Sequence, residues 1–130
     1  MTISGPGTRR YPIRVDPIFK ALFTVLGAPQ SWDYVDVSAD AVHVRLGWLF
    51  RARFDRTGVK EVKHHADMYG GWGAHGFAGR WLVNGSSKGI VEIDLEPAQR
   101  GWLLGFFPLR LRVLDLSLSD PDTFLADLAP

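Results

Sequence analysis

The feature that most constrains this chain is a two-residue alternation of apolar and polar side chains between residues 42 and 54. Side chains of a β-strand point alternately to opposite faces, so this period indicates strands with one buried and one solvated face. The apolar positions are Val42, Val44, Leu46, Trp48, Phe50, Ala52 and Phe54. The opposite parity carries His43, Arg45, Arg51 and Arg53. The alternation therefore predicts a half-buried antiparallel sheet.

The same parity limits how the chain can turn in the middle of this segment. A two-residue turn would place Arg51 and Arg53 in the core. A three-residue turn, Gly47–Leu49, pairs Leu46 with Phe50 and keeps both arginines outside. One long bent strand would preserve the same parity. We predict the hairpin with the three-residue turn.

Length and composition predict one globular domain. The chain has 130 residues, of which 46% are apolar and 22% charged, enough for a hydrophobic core. Its net charge is +1 and it has no cysteine, so we expect neither a strong global field nor a disulfide or thiolate site. The first residues lack the apolar segment of a secretory signal. We predict a cytoplasmic protein with a flexible tail over residues 1–12, one domain over residues 13–130, no transmembrane segment and no nucleic-acid partner.

Both ends of the predicted domain carry helix signals. Asp16-Pro17 offers a cap and a first-turn proline, and apolar residues follow at helical spacing until Gly27. Near the C-terminus, Ser119 or Asp120 caps a second helix that begins at Pro121. The N-terminal helix is apolar on most of its faces, so it must be covered by its own sheet or by a partner.

The remainder of the chain reads as further short strands. A glycine-rich loop begins at Tyr69, and the apolar runs after it are joined by an Asn84-Gly85 turn, which favours a β-hairpin. Another turn is expected over Pro97–Arg100. In the last strand the apolar parity slips between Val113 and Leu114, which indicates a β-bulge. About seven antiparallel strands and a closing helix indicate a small barrel or sandwich.

Three stretches of the sequence carry a resemblance to a known group. They are a Gly-Trp-Gly loop at Tyr69–Gly73, a hairpin at Gly79–Gly85 with Gly89–Asp94, and an Asp-Pro helix entry at Ser119–Leu125. With the upstream segment Val42–Val62, they resemble bacterial pleckstrin-homology-like (PH-like) stand-alone domains, most of which have no assigned function. The resemblance implies a PH-like seven-stranded antiparallel barrel or sandwich with a C-terminal capping helix and an additional N-terminal helix. Ala74-His75 departs from the arginine or aliphatic residue that many relatives place there.

Catalytic and metal sites are not indicated by this sequence. His64 and His65 are adjacent in a predicted strand and point to opposite faces, so they cannot easily share one ion. Ser86-Ser87 lies in a turn without the nucleophile elbow of hydrolases. The spacing Gly71-x-Gly73-x-x-Gly76 matches a dinucleotide motif but lacks the strand and helix that the motif requires. We therefore expect no enzymatic activity, no metal and no cofactor.

The strongest candidate site is the polar parity of the predicted hairpin, formed by His43, Arg45, Arg51 and Arg53. The planar fork of arginine suits phosphate and carboxylate groups, although an ordinary solvated sheet face has the same pattern. Trp72 and His75 are candidates for contacts at the rim of the glycine-rich loop. Trp72 is alternatively a structural lid that the glycines allow to fold over the barrel.

These residues favour a non-enzymatic binding or scaffolding module that self-associates or binds a protein or an anionic small molecule. Self-association would use the apolar N-terminal helix or an open edge of the sheet. The alternative is a small-ligand carrier with an apolar cavity inside the barrel, as in lipocalin-like folds. In that alternative Phe50 and Trp81 face the cavity, and a ligand copurifies with the protein.

Overall fold

The computed structural model describes residues 8–27, 32–67, 73–77, 79–84, 86 and 88–128. This part of the chain is mainly β, as predicted, with nine strands and two α-helices. The strands are β1 (Arg9–Pro12), β2 (Asp33–Val37), β3 (Ala41–Leu46), β4 (Phe50–Asp55), β5 (Val59–Asp67), β6 (Gly73–Phe77), β7 (Arg80–Asn84), β8 (Lys88–Leu103) and β9 (Phe107–Ser117). The helices are α1 (Pro17–Val25) and α2 (Pro121–Leu128).

The two long strands β8 and β9 organise the sheet. Eight strands follow the order β1-β2-β3-β4-β8-β9-β7-β6, and β5 pairs with the N-terminal part of β8. We call β1 to β4, with residues 99–103 and 107–111, the first half-sheet. We call β5 to β7, with residues 88–95 and 113–117, the second half-sheet.

The sheet differs in three respects from the predicted seven-stranded antiparallel barrel. The described strands number nine, they do not close into a ring, and β7 runs parallel to β9. The difference arises because β8 and β9 are long enough to belong to both half-sheets, which leaves β1 and β6 at the two ends of the strand order.

The β3–β4 hairpin forms as predicted, with its turn over residues 47–49. Leu46 pairs with Phe50, and the amide of Leu49 donates to the carbonyl oxygen of Leu46 at 3.0 Å. Val44 and Ala52 are fully buried on the core face, while Arg51 and its basic neighbours lie on the other face. The parity argument is therefore confirmed, because only this register buries every apolar position of the two strands.

The predicted turn at Pro97–Arg100 is wrong, since these residues lie inside β8. Between the pairs Asp94–Val113 and Gln99–Leu111, β8 advances five residues (94 to 99) while β9 advances two (113 to 111). The β-bulge expected between Val113 and Leu114 of the last strand is therefore misplaced, because the surplus residues belong to its partner β8. The reversal comes instead at residues 104–106, immediately before β9.

The predicted Asn84-Gly85 hairpin is also absent among the described strands. β7 and β8 follow each other in sequence, but β9 lies between them. The side-chain amide of the buried Asn84 donates to the carbonyl oxygen of Ser86 at 2.8 Å, so this turn has its own local bonds. β7 pairs instead with β6, which takes up Gly73–Phe77 from the predicted glycine-rich loop. Long-range pairing has overridden a short-range turn signal.

Helices α1 and α2 begin at the predicted prolines. The backbone amide of Thr123 donates to Oδ1 of Asp120 at 3.3 Å, which makes Asp120 the cap of α2. Phe124 and Leu128 bury α2 against the core. Sequence analysis placed residues 1–12 in a tail, but Arg9–Pro12 pairs with β2 as strand β1, and residues 1–7 lie outside the described residues.

The buried apolar side chains form one core that extends through both half-sheets. At the junction, Gly101 lies so close to Phe50 and Leu111 that an added Cβ would approach their side chains to 3.3 and 3.0 Å. This part of the interior is therefore closely packed. Neither described helix has the length and apolarity needed to span a bilayer.

Candidate functional site

The predicted basic residues lie together on the outer face of the first half-sheet. The register of β3 and β4 places Arg45 directly opposite Arg51, and His43 directly opposite Arg53. Arg51 and Arg53 are exposed, while His43 and Arg45 are partly buried. The sequence therefore predicted both the membership of this cluster and the face on which it lies.

The same face continues onto β8 and β9, which sequence analysis missed. Arg51 pairs with Trp102, so Arg100, two residues earlier on β8, shares its face, and Arg100 pairs with Arg110 of β9. Recognising the reversal at residues 104–106 would have revealed this pair. We call His43, Arg45, Arg51, Arg53, Arg100 and Arg110 the basic face.

A surface groove adjoins the basic face where β8 bulges away from β9. Its volume is about 420 Å³, and the side chains of Arg100 and Arg110 line it together with the amide-bearing Gln99. The lining is completed by Ala98, Pro108 and Leu109. The groove therefore has two arginines in its lining, whereas the amide nitrogen of Gln99 already donates to the carbonyl oxygen of Pro97 at 2.9 Å.

Carboxylates compensate little of this charge within the described residues. Asp36 is taken by Arg10, whose guanidinium donates to both of its oxygens at 2.8 Å. Asp55 lies at the end of β4 and makes no ion pair. In the part of the chain that the structure describes, the side chains of Arg51 and Arg53 make no hydrogen bond and no ion pair.

Two contacts hold Arg45 in place at the end of the face. Its Nε donates to the carbonyl oxygen of Gly47 at 3.0 Å, and its guanidinium carbon lies 4.5 Å from the centre of the Trp32 ring. Both contacts leave guanidinium N–H groups free of a carboxylate partner. Arg45 is thus ordered before any ligand arrives, which lowers the entropy lost on binding.

The electrostatic environment of His43 reflects the surrounding cations. Burial lowers the pKa of His43, and the guanidinium groups of Arg53, Arg45 and Arg51 lower it further, while Asp36 opposes them. The imidazole is therefore biased toward its neutral form when no anion is bound.

A second polar cluster lies on the second half-sheet and was also missed. Glu92 of β8 and Asp115 of β9 face each other in the register, and both are buried. Arg80 bridges them: its Nε donates to Asp115 at 3.0 Å and its Nη2 to Glu92 at 3.2 Å. Nε2 of His65 lies 2.7 Å from Oε1 of Glu92, and Nζ of Lys63 lies 3.4 Å from Oε2.

The protonation of this cluster follows from burial and its internal cations. Burial raises the pKa of Glu92, but bonds to Asp94 and His65 and the charges of Arg80 and Lys63 prevail and bring it to about 2. Burial raises the pKa of Asp115, and the Glu92 carboxylate adds to the rise while Arg80 opposes it. At neutral pH the charged carboxylates of Glu92 and Asp115 would repel each other, and the guanidinium of Arg80 offsets this repulsion.

The donor atoms of this cluster are close enough together to be considered as ligands of a metal ion. Ligand atoms of His65, Glu92 and Asp115 all lie within 4.8 Å of one another, which is a spacing that a cation could bridge. However, the guanidinium of Arg80 already bonds both carboxylates and supplies the positive charge. We therefore interpret the cluster as an internal ion-pair network. His64 pairs with Val91 and is exposed, so it stays apart from His65 as expected.

The remaining predicted site residues do not join either cluster in the described structure. Trp72 lies outside the described residues. The backbone of His75 belongs to strand β6, where it pairs with Leu82, and so it is not in a loop. Ser86 is buried, and its hydroxyl accepts a bond from the amide of Lys88 at 3.2 Å, as a turn residue does.

Comparisons with known proteins add no identity to this geometry. No family model, no curated protein and no solved structure matches the chain.

Proposed function

We propose that this chain is a non-enzymatic binding module whose basic face holds an anionic ligand. The observation that carries the proposal is the unopposed pairing of like charges, Arg45 with Arg51 and Arg100 with Arg110, across neighbouring strands. Like charges directly opposite each other destabilise a sheet, by about 0.2–1 kcal/mol for a pair. A bound anion removes this repulsion and gains charge-assisted hydrogen bonds.

The second half-sheet supports this interpretation by contrast. Glu92 and Asp115 face each other in the same way, but Arg80 lies between them as an internal counterion. Among the described residues, the arginine pairs of the basic face make no ion pair of this kind, although the buried Asp33 interacts electrostatically with Arg45. The missing counterion is therefore expected from solution. Arginine forks favour phosphate or carboxylate groups for this role.

Three finer statements are part of the proposal. The chain is a PH-like domain, supported by the predicted closing helix and its Asp120-Pro121 entry. It works in the cytoplasm, supported by the lack of cysteine. Besides its anionic site the chain has a second interaction surface on the apolar outer side of α1, where sequence analysis expects a protein partner or a second copy.

The carrier alternative is less well supported. Phe50, which would have to line a cavity, is 1% exposed and packs against Gly101 and Leu111. An apolar ligand bound in this part of the interior would have to displace these core side chains. Native mass spectrometry of the purified protein checks this alternative, because a carrier would show a bound apolar molecule.

Inorganic pyrophosphate serves as the probe for the binding proposal. We expect saturable changes in the side-chain Nε resonances of Arg45, Arg51 and Arg100 during an NMR titration. Arg51→Glu with Arg53→Glu should weaken binding at least about tenfold, since bonds to charged groups contribute about 1.5–3 kcal/mol each.

The matched control is Arg14→Glu with Lys88→Glu, which changes the net charge equally at exposed positions away from the basic face. This control should bind pyrophosphate within about twofold of the unaltered protein, because distant exposed charges are screened. Equal losses in both double variants, or a titration without saturation, would refute the proposal.

A further inference from the structure

The exposed apolar side chains of the described structure are concentrated at one end of the molecule. Among the described side chains, the eight large apolar residues with high exposure lie on α1, just after it, on two neighbouring turns or at the first residue of β9. They are Ile18, Leu22, Val25, Leu26, Trp48, Leu104, Phe106 and Phe107. Scattered exposed apolar residues are ordinary, but a grouped set indicates an interaction surface. We call these eight residues the apolar end.

Direct contacts join the three parts of the apolar end. The amide of Leu104 donates to the carbonyl oxygen of Leu49 at 2.8 Å, which connects the β8–β9 turn to the β3–β4 turn. The indole Nε1 of Trp48 donates to the carbonyl oxygen of Leu26 at 3.2 Å, which connects the β3–β4 turn to the end of α1. The three parts of the apolar end are therefore neighbours in the fold.

The β8–β9 turn has features that folding alone does not favour. Leu104 has a φ of +55°, in the left-handed region that glycine or asparagine normally occupies, and its side chain is 40% exposed. The next apolar pair, Phe106 and Phe107, is 64% and 51% exposed, with ring centres 4.5 Å apart. Strain and exposed aromatic rings at one turn are typical of a binding surface.

The apolar end adjoins the basic face at both turns. Arg45 and Arg51 form the last pair of the basic face before the β3–β4 turn, and Arg45 bonds the carbonyl oxygen of Gly47 within it. Trp102, which pairs with Arg51, lies two residues before Leu104. A surface that contacts the apolar end therefore also meets cations along its edge.

We propose that the apolar end enters the interface of an anionic lipid bilayer while the basic face contacts the phosphates of the headgroups. This inference rests on the proposed function, for which it names the source of the anion. Phenylalanine and leucine side chains have no polar atom to satisfy, so they suit the acyl boundary, and arginine suits the layer above it. A bilayer has an apolar interior with a layer of phosphate groups outside it, which matches the position of the apolar end beside the basic face.

A second copy of the chain fits the same surface less well. In a two-fold dimer the same patch meets itself, so the arginines beside the apolar end would approach one another. The described basic face contains no spare carboxylate except Asp55, at the far end of β4. Charge complementarity therefore favours an anionic membrane over self-association.

Vesicle cosedimentation tests the inference with two lipid compositions, phosphatidylcholine alone and phosphatidylcholine with phosphatidylglycerol. The full chain should bind only the vesicles with phosphatidylglycerol, and Phe106→Ser with Phe107→Ser should reduce this binding at least about tenfold, since binding scales with buried apolar area. The matched variant with both residues changed to leucine should retain it. Arg51→Glu with Arg53→Glu should also reduce it, and added salt should weaken it.

A second readout reports insertion directly. Lipids brominated in the acyl chain should quench the fluorescence of the full chain, and Trp48→Phe should remove most of the quenching. Circular dichroism of each variant establishes that the fold is retained.

The pyrophosphate titration separates the two proposals. Loss of vesicle binding in the serine double variant, with pyrophosphate binding intact, would support the bilayer inference. Pyrophosphate binding without any vesicle binding would overturn it and leave the proposed function standing. Failure of both would refute both. A dimer that becomes monomeric in the serine double variant, without vesicle binding, would overturn it in favour of a second copy.

Discussion

At the scale of single residues, the sheet places two side chains of like charge opposite each other in each of its halves. Arg45 faces Arg51 on the first half-sheet, and Glu92 faces Asp115 on the second. The acidic pair has Arg80 as its counterion, whereas among the described residues the basic pair makes no ion pair and has only the more distant charge of Asp33 near Arg45. The identity of the neighbours, more than the charges themselves, therefore separates a structural network from a candidate binding site.

His43 should report on anion binding through its pKa. Burial and then the nearby guanidinium groups lower this pKa below its ordinary value of 6.5, so a bound anion, which offsets the guanidinium charges, should raise it. By linkage, pyrophosphate should bind more tightly as the pH falls through this range. The long-range ¹H–¹⁵N correlations of the His43 ring, recorded against pH with and without pyrophosphate, measure the change.

The control in the same spectra is His64, which is exposed on β5 in the other half-sheet. The ring resonances of His64 at a fixed pH should not move when pyrophosphate is added. In the absence of ligand, the folding stability depends on pH in the opposite direction. Because the fold lowers the pKa of His43, the neutral imidazole contributes to the stability of the folded state. This contribution is complete above about pH 6.5 and is lost as the pH falls below that value. An unchanged His43 pKa at saturating pyrophosphate would contradict the predicted contact.

At the scale of elements, the ion-pair network connects four neighbouring strands. Arg80 of β7 bonds Asp115 of β9 and Glu92 of β8. On the far side of β8, His65 of β5 contacts Glu92 as well. The network therefore links elements that are distant in sequence, across the part of the sheet where β7 and β9 run parallel.

Replacing Arg80 should expose the dependence of this network on its cation. Arg80→Gln leaves two buried carboxylates facing each other, and we expect a loss of about 2 kcal/mol in the free energy of unfolding at pH 7. Breaking a buried ion pair costs about 3–5 kcal/mol, reduced here because the Arg80 side chain is 48% exposed. Urea unfolding measures the change.

Adding Glu92→Gln and Asp115→Asn to Arg80→Gln should restore much of the loss, because neutral amides need no counterion. Lys88→Gln, an exposed substitution at the start of β8, is the control and should change stability by less than about 0.5 kcal/mol. A loss in the triple variant as large as that in the single variant would show that Arg80 acts through packing alone.

Elements defined by local patterns were predicted well, and elements defined by distant pairing were not. The β3–β4 hairpin followed from alternation over residues 42–54, and α1 and α2 from their prolines. The expected Asn84-Gly85 hairpin failed because β9 pairs with β7, and no local pattern encodes that choice. Likewise Pro97 lies within a strand, at a point where the ladder between β8 and β9 is interrupted.

At the scale of the whole molecule, the shared β8–β9 hairpin makes the two half-sheets one cooperative unit. Leu116 is fully buried on β9 and pairs with Val91 of β8 and with Val83 of β7. One apolar core joins residues of both halves. We therefore expect the protein to unfold in a single transition.

Leu116→Ala tests this cooperativity. The cavity should lower the free energy of unfolding by about 3 kcal/mol, a usual cost for a buried leucine. Far-ultraviolet circular dichroism and tryptophan fluorescence should shift together, because loss of one half-sheet exposes the core of the other. Leu104→Ala, at an exposed position, should change stability by less than about 0.5 kcal/mol. Separate transitions for the two probes would show that the half-sheets unfold independently.

Local sequence patterns were enough to identify the buried residues of β3 and β4, the face that carries His43, Arg45, Arg51 and Arg53, and the first residues of both helices. Period and capping are local properties, so they can be read without knowing the partner strands. Three features became visible in the folded chain alone. Arg100 and Arg110 extend the basic face, and Arg80 neutralises Glu92 and Asp115. Eight exposed apolar side chains lie on neighbouring segments at one end. These depend on register and strand order, which arise from contacts between residues far apart in the chain.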